Sequence, residues 1–469
     1  MSGIEAGRPL TGLDAAGLAR RVTGRVLTPT DAGYLGAAPV WNGTVRARPG
    51  LVVRCESIAD VAATVGFAAE HRLELAVRGG GHSVAGFSSC EGGVVLDLSP
   101  MRSVAVDPDR AVARAQGGCT WGIYDAATAA HGLASTGGLV STTGIAGLTL
   151  GGGIGWLMRK YGLACDNLLS AEVVTAAGTV VHTSDADHRD LLWGLRGGGG
   201  NFGVVTEFEY RVHPVATVVA GLVLFPPQRT GEIAAFYRDY VTELPDEFTT
   251  MLVVLTAPAE DFVPDELRGR IAVGIVGCHC GTPAAAEAAL APIRQLRPAV
   301  DLFDTQPYPD VQAMFDADVP AGDRYWFAGG FLPALTDRAA QIITDHMARR
   351  PSPRNEFDLH HMGGAVARVG AADTAFPDRT SAFTYNIIAV WTDPADDDAN
   401  RAWARGFGAA LDHIAGDRGY VNFLADLKPE AGMRHVYGEQ RYTRLVELKQ
   451  KYDPHNLFRR NHNIVPGLN

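Results

Sequence analysis

Arg78-Gly79-Gly80-Gly81-His82-Ser83 sets a histidine behind a run of glycines, directly after the apolar segment Leu73 to Val77. Consecutive glycines let the backbone take positive φ and approach a ligand with no Cβ in the way. The successive N–H groups of such a loop can form an anion-binding nest, and Arg78 adds a positive charge beside it. A glycine run after a strand fits any phosphate-bearing cofactor, and equally a loose turn with His82 on the surface. Two common phosphate motifs are excluded. No G-x-G-x-x-G opens a helix here with an acidic residue further on, as a Rossmann site requires. No Gly-Lys-Ser/Thr follows, as a Walker A loop requires.

Three further blocks bear on the histidine. Gly144-Ile145-Ala146-Gly147-Leu148-Thr149-Leu150-Gly151-Gly152-Gly153-Ile154-Gly155 carries glycine at about half its positions, too many for a helix or strand interior built for stability. Arg159-Lys160-Tyr161-Gly162-Leu163-Ala164-Cys165-Asp166-Asn167 follows it closely. Gly197 to Gly200 runs into Asn201-Phe202-Gly203, and Val204 to Tyr210 then alternates as a half-buried strand should. Tight backbone packing explains one or two of these glycines but not repeated runs of them. The last block is Lys451-Tyr452-Asp453-Pro454-His455-Asn456-Leu457-Phe458-Arg459 with Asn461-His462-Asn463-Ile464-Val465-Pro466.

In this order the blocks resemble the FAD-linked oxidases of the vanillyl-alcohol-oxidase/PCMH superfamily, and within it the berberine-bridge-enzyme-like branch. The features are most similar to its bacterial members with a single covalent flavin link. The resemblance implies an α+β fold: a PCMH-type FAD-binding domain of two α/β subdomains and a substrate domain with an antiparallel sheet backed by helices. It places the FAD-binding domain at residues 1–215 and 420–469, with its core at about 46–217, and the substrate domain at 216–419. His82 is expected to carry FAD through the flavin's 8α-methyl group, with Arg78, Gly79, Gly80, Gly81 and Ser83 beside it. Thr142, Thr143, Gly144, Gly147, Gly152, Gly153, Gly155, Gly200, Asn201, Gly203, Val205, Asn461 and Asn463 complete the expected FAD-binding set. Thr143 is expected near the face by which oxygen reaches the flavin.

The sequence departs from the family pattern in two places. Relatives with two flavin bonds use a cysteine four residues before the second glycine block, and Val140 stands there. Cys165 is the alternative for a second link, against the commoner role of a small buried cysteine. Sugar- and alcohol-oxidising relatives end a Tyr-x-Asn-Tyr motif on a tyrosine that deprotonates a hydroxyl, where this chain reads Tyr420-Val421-Asn422-Phe423. Phe423 takes no proton. A neutral amine already has the lone pair that drives hydride loss, whereas an alcohol needs a base. The catalytic candidates are His360, Tyr161 and Asn386. Strand alternation puts His360 and His361 on opposite faces, and His360 is the one expected to face the flavin.

The rest of the chain sets limits. With 52 acidic against 41 basic residues the net charge is −11, which argues against a nucleic-acid backbone as partner and suits a neutral or cationic small molecule. The first ten residues lack a signal-peptide pattern, and no apolar run approaches the roughly 20 residues that span a bilayer. Six cysteines in 469 residues show no disulfide spacing. Cys278-His279-Cys280 reads as the end of an alternating strand, so no metal is expected. A cytoplasmic protein is expected, and its oligomeric state is left open.

Helices are expected over Asp14 to Val22, Ser57 to His71 (Ser57 as N-cap), Thr120 to His131, Gly231 to Thr242 and Thr336 to Met347. The segments Leu73 to Val77, Val94 to Leu98, Val104 to Asp107, Ala111 to Ala115, Ala220 to Phe225, Thr249 to Thr256, Ile271 to His279, Glu356 to Met362 and Ala382 to Trp391 read as strands. The functional expectation is an oxidase that passes a hydride from a small organic molecule, with a specialised metabolite as the expected class, to flavin N5. Oxygen then takes the electrons and gives peroxide. Amine oxidation is favoured by Phe423. The alternatives are an alcohol or sugar oxidase or dehydrogenase with His360 or Tyr161 as base, and a flavin-binding protein without turnover.

Overall fold

The computed structural model describes residues 15–415, 418–426 and 430–467. The expected start of the first helix at Asp14 lies outside them, and the helix runs over Ala15–Ala19. Three of the four sheets among the described residues organise the fold, the fourth being the short pair Leu133–Ala134 and His213–Pro214. In the first, the strands lie in the order Arg25–Leu27, Leu51–Arg54, Val94–Asp97, Leu75–Arg78. Both Leu51–Arg54 and Leu75–Arg78 run parallel to Val94–Asp97. The crossover is the helix Ile58–Glu70, and Ser57 caps it by accepting from the Asp60 N–H. The strand Leu75–Arg78 therefore delivers Gly79 to His82 at its carboxyl end, where α/β sheets place ligands.

The second sheet is antiparallel, in the order Val104–Asp107, Val112–Gln116, Val204–Arg211, Leu168–Val174, Val180–Ser184. Its central strand is the one that leaves the Gly197 to Gly203 segment. The third sheet takes most of the middle of the chain. Its order is Val300–Asp301, Thr217–Phe225, Ile271–His279, Phe248–Thr256, Glu356–His361, Phe383–Trp391, Arg324–Leu332, with Asp304–Pro307 also paired to Thr217–Phe225. Every pairing in it is antiparallel.

One face of this large sheet is apolar. Leu252, Val254, Phe357, Leu359, Ile387 and Ala389 pack there against residues of the helices Thr230–Tyr240, Pro283–Gln295, Asp337–Ala348 and Asp397–Ala415. Alternation then sends Met251, Val253, Glu356, Asp358, His360, Asn386 and Ile388 to the other face. That face looks onto the glycine loops. No helix among the described residues is long and apolar enough to cross a membrane.

Two expectations need correction. The Gly144 to Gly155 block is not free of helix, because Ile145–Leu150 forms one with Gly144 at its N-cap. Only two glycines fall within or directly before that turn, and the denser run Gly151 to Gly153 follows its end. The strand Arg324–Leu332 and the helices Pro283–Gln295 and Asp397–Ala415 were not anticipated.

The helix Trp121–Ala129 buries Asp125 completely, and neither of its carboxylate oxygens makes a well-formed hydrogen bond. Burial pushes this carboxyl up to about 8, with Gln312 opposing. A carboxyl raised in the folded state contributes stability that is full below its unfolded value near 4 and is lost as pH rises towards 8. Across that window the loss is up to about 1.4 kcal/mol per pH unit. The thermal midpoint of the wild type is therefore expected to fall more steeply from pH 5 to pH 8 than that of Asp125→Asn. Parallel curves would show that Asp125 is not the titrating group.

Candidate active site

A cavity of about 520 Å³ lies between the glycine loops and the open face of the large sheet. This is within the usual range for a small-molecule site. At the loop end, backbone lies on backbone: a Cβ at Gly80 would sit 2.4 Å from the Gly144 N. Gly147 and Gly200 differ from Gly80. Both line the cavity, and a Cβ on either would meet nothing within 4 Å, so a side chain there would occupy ligand space.

His82 stands at the rim of this cradle. Its ring stacks on Trp41 at 4.8 Å, and Trp41 stacks in turn on Tyr325 at 3.8 Å. Thr142 Oγ1 lies 3.0 Å from His82 Nε2, and Thr143 Oγ1 lies 3.4 Å from Nδ1. Burial lowers the imidazole to about 4, against the pull of Asp316, so the ring is neutral at pH 7. A neutral imidazole has a lone pair to use as a nucleophile.

The C-terminal segment closes the loop end. Asn201 Nδ2 donates to the carbonyls of Gly198 and His462, and its Oδ1 accepts from the Ile464 N–H. The buried ammonium of Lys449 donates to the Asn201 carbonyl at 2.9 Å and to Asp453 at 2.7 Å. Asn461 Nδ2 donates to the Gly200 carbonyl, while its buried Oδ1 has no protein partner. An open glycine cradle, an unpartnered amide oxygen and a neutral histidine at the rim fit a dinucleotide such as FAD.

The expected FAD-binding residues divide on inspection. Gly79, Gly80, Gly81, His82, Ser83, Thr143, Gly144, Gly147, Gly200, Asn201, Gly203, Val205 and Asn461 line the cavity. Arg78 does not. Its guanidinium donates to the carbonyls of Ala37, Ala38 and Ser88, so it braces the loop and does not meet an anion. Gly152, Gly153 and Gly155 also lie off the cavity. They serve close packing: a Cβ at Gly155 would fall 2.0 Å from the Gly137 carbonyl oxygen, and Gly152 and Gly153 take φ of +128° and +85°. Asn463 lies outside the lining as well, and Thr142 reaches the site only through His82.

Tyr161 is placed away from the cavity. It stacks on His213 at 3.9 Å and packs beside Trp156 and Leu157, because the short helix Met158–Tyr161 turns it towards that cluster. Cys165 is fully buried off the cavity, with its thiol 3.6 Å from Asp166 and burial holding it well above the usual thiol range.

At the sheet end, His360 and Asn386 line the cavity, and both are buried. His360 Nε2 and Asn386 Oδ1 have no hydrogen-bond partner in the protein. Burial lowers His360 to about 3. His361 faces away and meets Arg159 Nη1 at 3.1 Å. Phe423 lies 5.8 Å from the His360 ring, between centroids. The hydroxyl of Tyr420, which also lines the cavity, accepts from the Gly153 N–H and from Asn422.

Sequence reasoning missed the carboxylates. Glu356 and Asp358 line the cavity on the same strand face as His360, and Asp358 stands opposite Asn386. Burial raises both carboxyls, and for Glu356 the neighbouring Asp358 and Asp318 add to the rise. Arg354, at the same end, donates to Asp323 and to the Asp318 carbonyl, and its charge partly offsets the rise at Glu356. The alternation that singled out His360 also puts residues two and four positions earlier on its face, so the signal was present.

Residues 49–184 match the family model described as an FAD binding domain, and residues 419–465 match the one described as berberine and berberine like. An FAD-linked oxidoreductase of Dictyostelium discoideum is 32% identical over 440 residues, covering 92% of this chain and 91% of that protein. (R)-6-hydroxynicotine oxidase of Paenarthrobacter nicotinovorans is 33% identical over 465 residues, covering 95% and 97%. The crystal structure of 6-hydroxy-D-nicotine oxidase from Arthrobacter nicotinovorans superposes with a TM-score of 0.84 at 30% identity, covering 95% of this chain and 98% of that one. A xylooligosaccharide oxidase from Myceliophthora thermophila shares the fold at TM-score 0.86 and 20% identity, covering 97% and 100%. The chain thus belongs to the berberine-bridge-like family of FAD-linked oxidoreductases within the PCMH superfamily, and FAD is its cofactor.

Proposed function

We propose that the enzyme oxidises a cationic small-molecule amine at a carbon next to nitrogen, with FAD tethered to His82 and oxygen as the electron acceptor. The observation that carries this reading is the carboxylate pair Glu356 and Asp358 on the cavity face, beside Phe423 where a hydroxyl-deprotonating tyrosine would be needed for an alcohol. Bound flavin supplies a two-electron acceptor. The chain's own groups do the rest. Gly147 and Gly200 leave room for the cofactor, and Asn461 Oδ1 offers it an acceptor. The carboxylates hold the ammonium charge and take its proton, which frees the nitrogen lone pair for hydride loss. Met251, Val253, Ile388 and Phe327 form apolar wall around them and exclude water.

The name of the hydroxynicotine oxidase, an enzyme acting on a nitrogen compound, agrees with this choice. A second reading has one observation in its favour: neutral His360, with Nε2 buried and unpartnered, could accept a proton from an alcohol or sugar hydroxyl. Oxygen uptake and peroxide release with matched amine and alcohol pairs of one carbon skeleton separate the two. Turnover of the amine is expected. Turnover of the alcohol alone would transfer the role to His360.

A further inference from the structure

We infer that Thr142 is a positioning residue for flavin attachment: its hydroxyl accepts the Nε2–H of His82 and so leaves the Nδ1 lone pair as the nucleophile. The inference rests on the reading of His82 as the tether. The two ring nitrogens meet different surroundings. Nδ1 lies on the side of Thr143, which lines the cavity. Nε2 lies 3.0 Å from Thr142, which does not line it and is exposed to solvent.

The ring is held against rotation. Trp41 stacks on it within 14° of parallel, and Trp41 is itself fixed by its indole N–H to the Val319 carbonyl at 2.9 Å. The residue before Thr142 is fixed as well, since the Ser141 N–H donates to Asp316 Oδ1 at 2.8 Å and its hydroxyl donates to Oδ2. The hydroxyl of Thr142 is thus presented to Nε2 by a clamped backbone. Burial keeps the ring neutral at working pH, so one nitrogen carries hydrogen and the other a lone pair. Thr142 at 3.0 Å is the shorter of the two hydroxyl contacts, against 3.4 Å for Thr143 on Nδ1, and with Thr142 as acceptor the hydrogen sits on Nε2.

The step balances. One hydrogen leaves the 8α-methyl group and one leaves the imidazole. The bond from C8α to nitrogen forms, and two electrons pass to the isoalloxazine. Dioxygen takes them up with the two protons as hydrogen peroxide. The imidazole's proton departs from Nε2 through the Thr142 hydroxyl, which both accepts and donates and stands at the solvent side.

The test compares wild type, Thr142→Val and Thr142→Ser, each purified as holoprotein, with flavin measured in the acid-precipitated pellet and in the supernatant. The valine form is expected to shift at least half of its flavin to the supernatant, and the serine form to restore the wild-type pellet. A valine variant with all its flavin in the pellet overturns the proposal. So does a serine variant that loses the link as valine does, which would make the role one of packing; this arm decides even where the valine form takes up no FAD. If wild type itself releases its flavin into the supernatant, the tether reading fails, and that outcome is distinct from both.

Discussion

Asp358→Asn is expected to lower kcat/KM for a cationic amine by about 10- to 100-fold, chiefly through KM. That is the loss of a charged hydrogen bond at a half-buried carboxylate, worth about 1.5–3 kcal/mol. A neutral substrate of the same shape should lose far less, because it never used the charge. The pH profile carries a second sign. Burial raises the carboxyls of both Glu356 and Asp358, so the pair ionises at higher pH than free carboxyls do. The wild-type kcat/KM should climb with pH as the pair ionises, then fall once the substrate ammonium loses its own proton. In the asparagine form the acid limb should move to lower pH, since Glu356 no longer feels the Asp358 charge. Equal losses for charged and neutral substrates would show that Asp358 acts only on packing.

His82→Ala carries the other large effect. The variant is expected to bind FAD that dialyses away and that acid releases completely, where the wild type keeps it. Its turnover, measured with FAD in excess, should drop by about 10-fold or more, since a tether raises the driving force for hydride acceptance and the protein's part is to orient the ring. Trp41 would lose its stacking partner but keep Tyr325 at 3.8 Å, so the fold should survive. Full turnover at saturating FAD would mean that the link serves retention alone.

Much of this architecture could be read from the chain. The capped helix Ile58–Glu70 follows from Ser57 and Asp60, and His82 and Asn461, expected at the cofactor, both line the cavity. What failed did so for identifiable reasons. The strand Arg324–Leu332 went unanticipated, and it contains the pair Gly329-Gly330, which lacks the side chains that mark a strand. A Cβ at Gly329 would come 2.4 Å from that of Phe423, so the glycine admits the C-terminal segment to the cavity. Arg78 looked like an anion ligand because its charge is local in sequence, while the carbonyls it serves, Ala37 and Ala38, lie some 40 residues earlier. Tyr161 follows the cavity-lining block closely but is turned by a helix too short to show in the pattern. The carboxylate pair was overlooked because acidic residues at alternate strand positions ordinarily face solvent. Here that face is covered by the glycine loops.

The most direct test of the flavin tether is the mass of the tryptic peptide Gly79 to Arg102 from wild-type protein. That peptide is expected to carry one FAD less two hydrogens, with the added mass fragmenting to His82. An unmodified peptide with FAD free in solution, or the flavin found on the peptide Tyr161 to Arg189 that holds Cys165, would contradict it.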